Sequence, residues 1–334
     1  MEIAVNLKYH NYKIILEDGL LNHLKDYLKE TDYFIITDEN IPLEYVKKVS
    51  SQLETEKIIT IKAGEASKSF MAYQEVLTKL YDLNCKRDSV LVALGGGVVG
   101  DLTGFVAATY LRGIKYISIP TTTLSQIDSS IGGKTGINFL STKNMVGAFY
   151  HPELVLIDYE VLKTLPRRHY YNGLIEALKM GLISDSKLYQ ACLDYSSKRD
   201  LKEIIPAAIY QKKLIVEADE KEANLRKLLN LGHTFGHAFE SYYNFETLYH
   251  GEAVLLGMLK IINNPTIIQQ LKDVANRLQI PLDLEYDISQ VMKYIKQDKK
   301  SQSDFITVIL VDEVGRAYLK DYSFQKLRKL LEEK

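Results

Sequence analysis

Apolar residues fall into two patterns along this chain, and the change between them divides it. Up to about residue 165 they come as compact runs: Tyr33-Phe34-Ile35-Ile36-Thr37, Ile58-Ile59-Thr60-Ile61, Ser89 to Leu94, Lys115 to Ile119 and Val155-Leu156-Ile157. Runs this short, bounded by glycine or polar residues at their carboxyl ends, predict strands buried on both faces of a parallel sheet. Glu2 to Val5 and Tyr12 to Leu16 predict two more short strands. Helical spacing is found at Leu20 to Leu28, at Ser69 to Leu83 and from Gly97 to about Tyr110. Strand and helix alternate, which predicts a Rossmann-like α/β fold with a mostly parallel sheet. From Tyr170 the period becomes helical, with helices expected over 171–184, 186–197, 201–219, 225–243, 251–262, 266–279 and 288–296. A late strand, Phe305 to Val311, and a helix near 323–333 close the chain. Thr164-Leu165-Pro166-Arg167-Arg168 marks the change, so two domains are expected, 1–165 and 166–334, the second mainly helical.

A length of 334 residues suits two domains. The formal net charge of -1 carries no footprint of nucleic acid or an acidic membrane surface, so neither is expected as a partner. Cys85 and Cys192 are far apart and fit no metal or redox spacing, which suits a reducing, cytoplasmic location. Met1 to Asn6 lack the basic start and apolar run of a signal peptide, and no apolar run is long enough for a bilayer.

Three of the seven histidines lie between Leu229 and Glu252. His233 and His237 are four apart and share a helix face, while His250 comes from a separate segment. Imidazoles so placed suit a divalent metal such as zinc, or are ordinary surface and core residues. Glycines flank both His233 and His237, and glycine inside a helix weakens it unless something approaches closely. Gly95, Gly97 and Gly100 match G-x-G-x-x-G between a strand and a helix, which opens backbone N–H groups to a pyrophosphate. The acidic residue expected about twenty positions on is missing, because the next strand ends in Pro120-Thr121-Thr122-Thr123. Either Asp38 and Asn40 take the ribose instead, or the glycines merely pack helix on strand. Ile131 to Gly136 is not a P-loop, since Asp128 stands where the loop needs glycine. Asp128, Lys134, Lys143 and Asn144 lie in a glycine-rich stretch with little periodicity; they are solvated loop charges or a reactive loop. Glu176 and Lys179 share a helix face, as an ion pair or as a metal ligand beside a substrate lysine.

Taken together, these stretches make the chain resemble the 3-dehydroquinate synthase family. The resemblance is carried by Gly95 to Phe105, Pro120-Thr121-Thr122, Asp128 to Thr135, Lys143-Asn144, Gly173 to Lys179, Leu229 to His237 and His250 to Val254. It implies a divalent metal, zinc or cobalt, held by Glu176, His233 and His250, with His237 a catalytic, phosphate-contacting residue. It implies a sugar-phosphate pocket of Arg112, Asp128, Lys134, Lys143, Asn144, Lys179, Lys212, Arg226, Asn230, His237 and Lys299 or Lys300. Among these, Lys134, Asn144, Lys179, Arg226, Asn230 and His237 are the implied catalytic set. It implies NAD contacts from Asp38, Asn40, Glu65, Lys68, Gly97, Val98, Val99, Gly100, Asp101, Thr121, Thr122, Lys134, Lys143, Val161, Leu162, Lys163 and Thr164. Arg112 in such enzymes reaches the neighbouring subunit, which implies a homodimer.

The implied reaction converts 3-deoxy-D-arabino-heptulosonate 7-phosphate to 3-dehydroquinate and phosphate, an NAD- and metal-dependent lyase step of aromatic biosynthesis. Oxidation at C5 acidifies the C6 proton, phosphate is eliminated, the hydride returns and an intramolecular aldol step closes the ring. Two rivals share the same cofactors: cyclases that make an inosose or a valiolone, and metal-dependent polyol dehydrogenases. Retention of Lys212, Arg226 and Asn230 favours the acid-bearing substrate. The sequence departs from the family pattern at Met258 to Pro281, which is roughly eight residues shorter than is common in the family. That departure touches helix packing and none of the implied ligands.

Overall fold

The computed structural model describes residues 1–140, 142–196, 200–244, 247–298 and 304–333. They form two compact units, Met1–Tyr170 and Tyr171–Lys334. The division falls at Tyr170, inside a helix that begins at Arg167, and not at the Pro166 stretch that the sequence suggests. Pro166 precedes the first turn of that helix, a position proline tolerates well.

In the first unit the strands are β1 (Glu2–Asn6), β2 (Asn11–Glu17), β3 (Tyr33–Asp38), β4 (Ile58–Ile61), β5 (Val90–Gly95), β6 (Lys115–Pro120), β7 (Lys134–Phe139), β8 (Thr142–Phe149) and β9 (Leu154–Asp158). Seven of them form one sheet in the order β1-β2-β9-β6-β5-β3-β4. Every pairing is parallel except β1 with β2. The helices are α1 (Leu43–Gln52), α2 (Phe70–Asp82) and α3 (Gly97–Thr109). Strand β3 leads through α1 outward to β4, whereas β5 leads through α3 to β6 on the other side. The chain thus leaves the carboxyl ends of neighbours β3 and β5 in opposite directions, and open α/β sheets bind ligands in the crevice such a reversal creates. The central strands are buried throughout, with Phe34, Ile36, Leu91 and Ala93 facing Val99, Leu102 and Val106 of α3. That is why these stretches read as unbroken apolar runs.

Two expectations for this unit need correction. Leu20 to Leu28 is no amphipathic helix but two single 3₁₀ turns, Leu20–Asn22 and Leu24–Asp26, with His23 breaking the run between them. The stretch from Lys134 to Phe149 is no irregular loop but the antiparallel β7–β8 hairpin, Lys134 paired with Phe149. It lies against α3, where a Cβ on Gly104 would collide with Thr135. Its pattern hides because β8 alternates only between exposed and half-buried positions.

The second unit is built from α4 (Arg167–Ser184), α5 (Ser186–Leu193), α6 (Leu201–Ala218), α7 (His233–Tyr242), α8 (His250–Ile261), α9 (Pro265–Leu278), α10 (Ile288–Asp298) and α11 (Phe324–Glu332), with a hairpin of β10 (Phe305–Glu313) and β11 (Arg316–Ser323). The helix expected over 225–243 is two elements. Leu225–Asn230 is a 3₁₀ segment, and α7 starts only after Gly232, whose φ of 79° lies in the left-handed region. Strand β11 escapes the sequence reading because most of its residues are exposed or half-buried and polar. The short segment after α8 still folds as a capped helix. Asn264 accepts from the N–H groups of Thr266 and Ile267, Pro265 opens α9, and Leu271 and Val274 face inward. Among the described residues, no helix is long and apolar enough to cross a membrane.

Candidate functional site

Glycines set the centre of the second unit. Helices α7 and α8 cross so closely that a Cβ on Gly257 would collide with the Gly232 carbonyl, and one on Gly236 would come within 3.1 Å of the Ala253 carbonyl. The close approach signalled by glycines around His233 and His237 is therefore that of α8. A second contact fixes α8 against α4: the Gly251 N–H donates to the Asn172 side-chain oxygen. Any Cβ on Gly251 would strike the Asn172 backbone. The first turn of α8 is closed further by a capping box, the Tyr249 N–H donating to Glu252 at 2.9 Å. Asn172 and Glu176 are one turn apart on α4, so the bond that seats α8 also aims Glu176 at His250.

The outcome is a cluster of Glu176, His233 and His250 whose donor atoms all lie within 4.8 Å of one another. The Glu176 Oε1 atom is 3.6 Å from His250 Nε2. Glu176 is fully buried, and apart from an ion pair with Lys179 its carboxylate oxygens have no hydrogen-bond partner among the described residues. Its charge is met by the buried Lys179, whose Nζ lies 2.5 Å from Oε2. A buried carboxylate with open lone pairs beside two imidazoles fits a divalent cation, and Glu/His/His is a donor set suited to zinc or cobalt. Burial, then the nearby Lys179, His237 and His250, holds His233 well below the usual imidazole pKa. It is therefore neutral, with Nδ1–H donating to the Leu231 carbonyl at 3.1 Å and Nε2 left as a lone pair. The His237 ring lies 5.1 Å from that of His233 and 5.9 Å from that of His250.

In the same unit Lys212 is buried on α6, and Arg226 is buried on the 3₁₀ segment that packs on α6. The Arg226 guanidinium donates to the Glu220 carbonyl at 2.5 Å, and its backbone N–H to Asp219 at 3.0 Å. Asp219 also accepts from Ala223 and Asn224, so one carboxylate ties down the loop that presents Arg226. Asn230 donates to Glu222 at 2.9 Å. Lys299 and Lys300 lie outside the described residues.

In the first unit most of the implied NAD residues fall at the carboxyl ends of strands: Asp38 ending β3 with Asn40 just beyond, Gly97 to Asp101 after β5, Thr121 and Thr122 after β6, and Val161 to Thr164 after β9. Glu65 and Lys68 follow β4. Burial pushes the Asp38 carboxyl up, opposed by the Asn40 N–H that donates to it at 2.9 Å. Helix α3 starts with no side-chain cap, leaving first-turn N–H groups open. The Thr121 hydroxyl is buried without a hydrogen bond among the described residues. The glycines of the turn divide. A Cβ on Gly95 would lie 2.5 Å from Val99, and one on Gly97 would lie 3.1 Å from Ser129, but one on Gly100 would meet nothing within 4 Å among the described residues. Packing accounts for Gly95 and Gly97; it does not account for Gly100.

Lys68 is buried and links the two sets of residues in this unit. Its ammonium pairs with Asp101 at 2.5 Å and donates to the side-chain oxygen of Asn144. The Asn144 backbone, at φ 52°, donates to Asn138, which in turn donates to Glu65 at 2.9 Å. Asn138 is joined to the candidate residues Glu65 and Asn144 by hydrogen bonds and was missed by the sequence reading; its signal was its place in the Gly136-Ile137-Asn138 continuation of the glycine-lysine motif. Asp128 lies on a short π-helical turn, Ser125–Ser129, and Lys134 and Lys143 open the hairpin strands. Arg112 is exposed, and it and Leu111 both hold left-handed φ angles, 66° and 49°. Such backbone strain on non-glycine residues is concentrated at functional positions. A cavity of about 210 Å³ beside Asp18, Tyr45 and Asp158 has Val161 as its one candidate residue.

Comparison with known proteins supplies the last finding. The family described as 3-dehydroquinate synthase N-terminal matches residues 58–172, and that described as 3-dehydroquinate synthase C-terminal matches residues 173–301. The chain is similar to a 3-dehydroquinate synthase of Clostridium botulinum, 38% identical over 97% of this chain and 99% of the relative. Among solved structures it is similar to a 2-deoxy-scyllo-inosose synthase complexed with carbaglucose-6-phosphate, NAD+ and Co2+, with a TM-score of 0.89 at 23% identity and full coverage of both chains. A 2-epi-5-epi-valiolone synthase from Streptomyces hygroscopicus, with NAD+ and Zn2+ bound, gives a TM-score of 0.86 at 26% identity, covering 98% of this chain and 97% of the other.

Proposed function

The chain belongs to the 3-dehydroquinate synthase family, and on that premise we propose how its residues close 3-deoxy-D-arabino-heptulosonate 7-phosphate to 3-dehydroquinate with loss of phosphate. The observation that carries the reading is the buried Glu176 carboxylate, met among the described residues by no donor but Lys179 and facing the imidazoles of His233 and His250. These three residues would hold the divalent metal, zinc or cobalt. The N-terminal turn of α3, with Asp38, Thr121 and the Lys68–Asp101 pair, would hold NAD. Bound there, NAD would supply reversible hydride transfer at the C5 carbinol, and the metal would supply Lewis acidity for that carbinol's oxygen.

The chain's own residues bind and orient the rest. Lys179, Lys212 and Arg226 are buried cations suited to a carboxylate and a phosphate, and Asn230 adds a neutral donor. Lys134 and Lys143 on the hairpin add two more cations for the substrate. His237 and Asn144 would orient the phosphate so that its own oxygen takes the C6 proton. Elimination breaks the carbon–oxygen bond at C7, so phosphate leaves intact and the enzyme acts as a lyase. The hydride returned, no net redox occurs.

The implied homodimer rests on Arg112, exposed and strained, and on exposed apolar side chains at the hairpin end, where Phe70 meets Phe139 edge to face beside Met71 and Leu140. A cytoplasmic location fits two cysteines that are free and buried. A substrate panel separates this reading from the related cyclases. Phosphate release should be fast with the heptulosonate 7-phosphate and slow with sugar phosphates of similar size that lack the carboxylate. Equal or faster turnover of the acid-free sugars would move the assignment to the inosose or valiolone type.

A further inference from the structure

The implied site residues leave one buried acid beside the metal cluster without a role. Glu240 is 2% exposed and lies on the same face of α7 as His233 and His237, seven and three residues after them. Its Oε2 atom is 3.2 Å from Nδ1 of His250. The other nitrogen of that ring, Nε2, is the one that faces Glu176. His233 shows the same division: Nδ1 is engaged by the Leu231 carbonyl. A carbonyl and a carboxylate can only accept, so each Nδ1 carries the proton and each Nε2 is left as a lone pair. The His233 ring is held by backbone, which no side-chain substitution removes. The His250 ring sits at the first residue of α8 and depends on a side chain of the neighbouring helix.

We propose that Glu240 is a positioning residue that fixes the tautomer and ring direction of His250, presenting Nε2 toward Glu176 for the divalent cation. The inference rests on the reading that Glu176, His233 and His250 hold that cation. Carboxylates that accept from a ligating imidazole raise its basicity, and their loss typically weakens metal binding by about 10–100-fold. A competing arrangement is a second cation site, since donor atoms of His237, Glu240 and His250 also lie within 4.8 Å of one another. The 3.2 Å approach of Glu240 to Nδ1 is a hydrogen-bond distance, which favours one cation and one orienting acid.

The test titrates Co2+ into the full chain after chelator treatment, reading bound metal and the visible ligand-field spectrum. Glu240→Gln keeps the size and an acceptor oxygen; Glu240→Ala removes both. We expect one Co2+ per chain, a loss of about 10–100-fold in affinity for Glu240→Ala with an altered spectrum, and recovery of most of that affinity in Glu240→Gln. Thermal melts of the metal-free variants establish that each is folded. Wild-type affinity and spectrum in Glu240→Ala would overturn the proposal. So would two bound Co2+ in the wild type with one lost in Glu240→Ala, which would assign the second cation site instead. Equal losses in Ala and Gln would also overturn it, as a pure charge effect. Glu176→Gln and His233→Ala are run in parallel. Unimpaired Co2+ binding in both would sink the metal-site reading itself, an outcome distinct from failure at Glu240.

Discussion

A methyl group at Gly100 would meet no neighbour within 4 Å among the described residues outside its own helix backbone, and that makes the position a sharp probe of the glycine turn. The residue is inside α3, with its N–H already donating to the Gly96 carbonyl at 3.0 Å. In a helix interior, glycine is about 0.8–1 kcal/mol less favourable than alanine, in part because it leaves the unfolded chain more freedom. Among the described residues no neighbour stands within 4 Å of an added Cβ, so no clash offsets the gain. Gly100→Ala should therefore stabilise the NAD-free protein by about 0.5–1 kcal/mol. That corresponds to a rise in Tm of roughly 1–4 °C for a domain of this size class. If a pyrophosphate lies over this turn, the same methyl overpacks the complex by about 1–3 kcal/mol, a loss of roughly 5- to 150-fold in NAD affinity. Differential scanning calorimetry without NAD and isothermal titration with NAD read the two effects separately. Unchanged NAD affinity would refute the cofactor role of the turn. A lowered Tm would show that packing after all requires glycine there.

Three further substitutions test the second unit and the hairpin. Gly257→Ala forces a Cβ into the Gly232 carbonyl; urea unfolding should show a loss of about 1–3 kcal/mol, and Co2+ binding should weaken as α8 moves. Asn172→Ala strips the buried acceptor from the Gly251 N–H; a loss of about 1–3 kcal/mol is expected by the same assay, and a neutral result would show that water replaces the bond. Lys134→Ala removes an exposed charge at the start of β7; phosphate release should fall sharply while stability stays within about 0.5 kcal/mol. A stability loss without an activity loss would make Lys134 a structural residue.

Much of this architecture is legible in the sequence because burial on both faces leaves a direct imprint. Strands β3, β5, β6 and β9 read as apolar runs ending in the residues that line the candidate cofactor site. The periodicity of α4, α6 and α9 likewise survives in one dimension. What stayed hidden depends on contacts between distant elements. The spacing of His233 and His237 suggests two ligands on one helix. The geometry instead pairs His233 with His250 across the α7–α8 crossing and adds Glu176 from α4. The resemblance to the family named that triad; spacing alone could not, because the third donor comes from another helix. The break at Gly232 was invisible for a related reason: apolar periodicity continues through it, and only the left-handed turn starts α7 at His233. The hairpin of β7 and β8 and the contacts of Asn138, Asn172 and Glu240 have no periodic signature, since each is defined by specific pairings rather than by a repeated burial pattern.

The most direct test of the central claim incubates zinc- or cobalt-loaded protein and NAD with 3-deoxy-D-arabino-heptulosonate 7-phosphate. Free phosphate and absorbance at the NADH band are followed together. The account predicts phosphate release over many turnovers with no net accumulation of NADH, abolished by Glu176→Gln. Stoichiometric NADH would contradict it in favour of a dehydrogenase. No phosphate release from protein shown to bind both metal and NAD would contradict the substrate assignment.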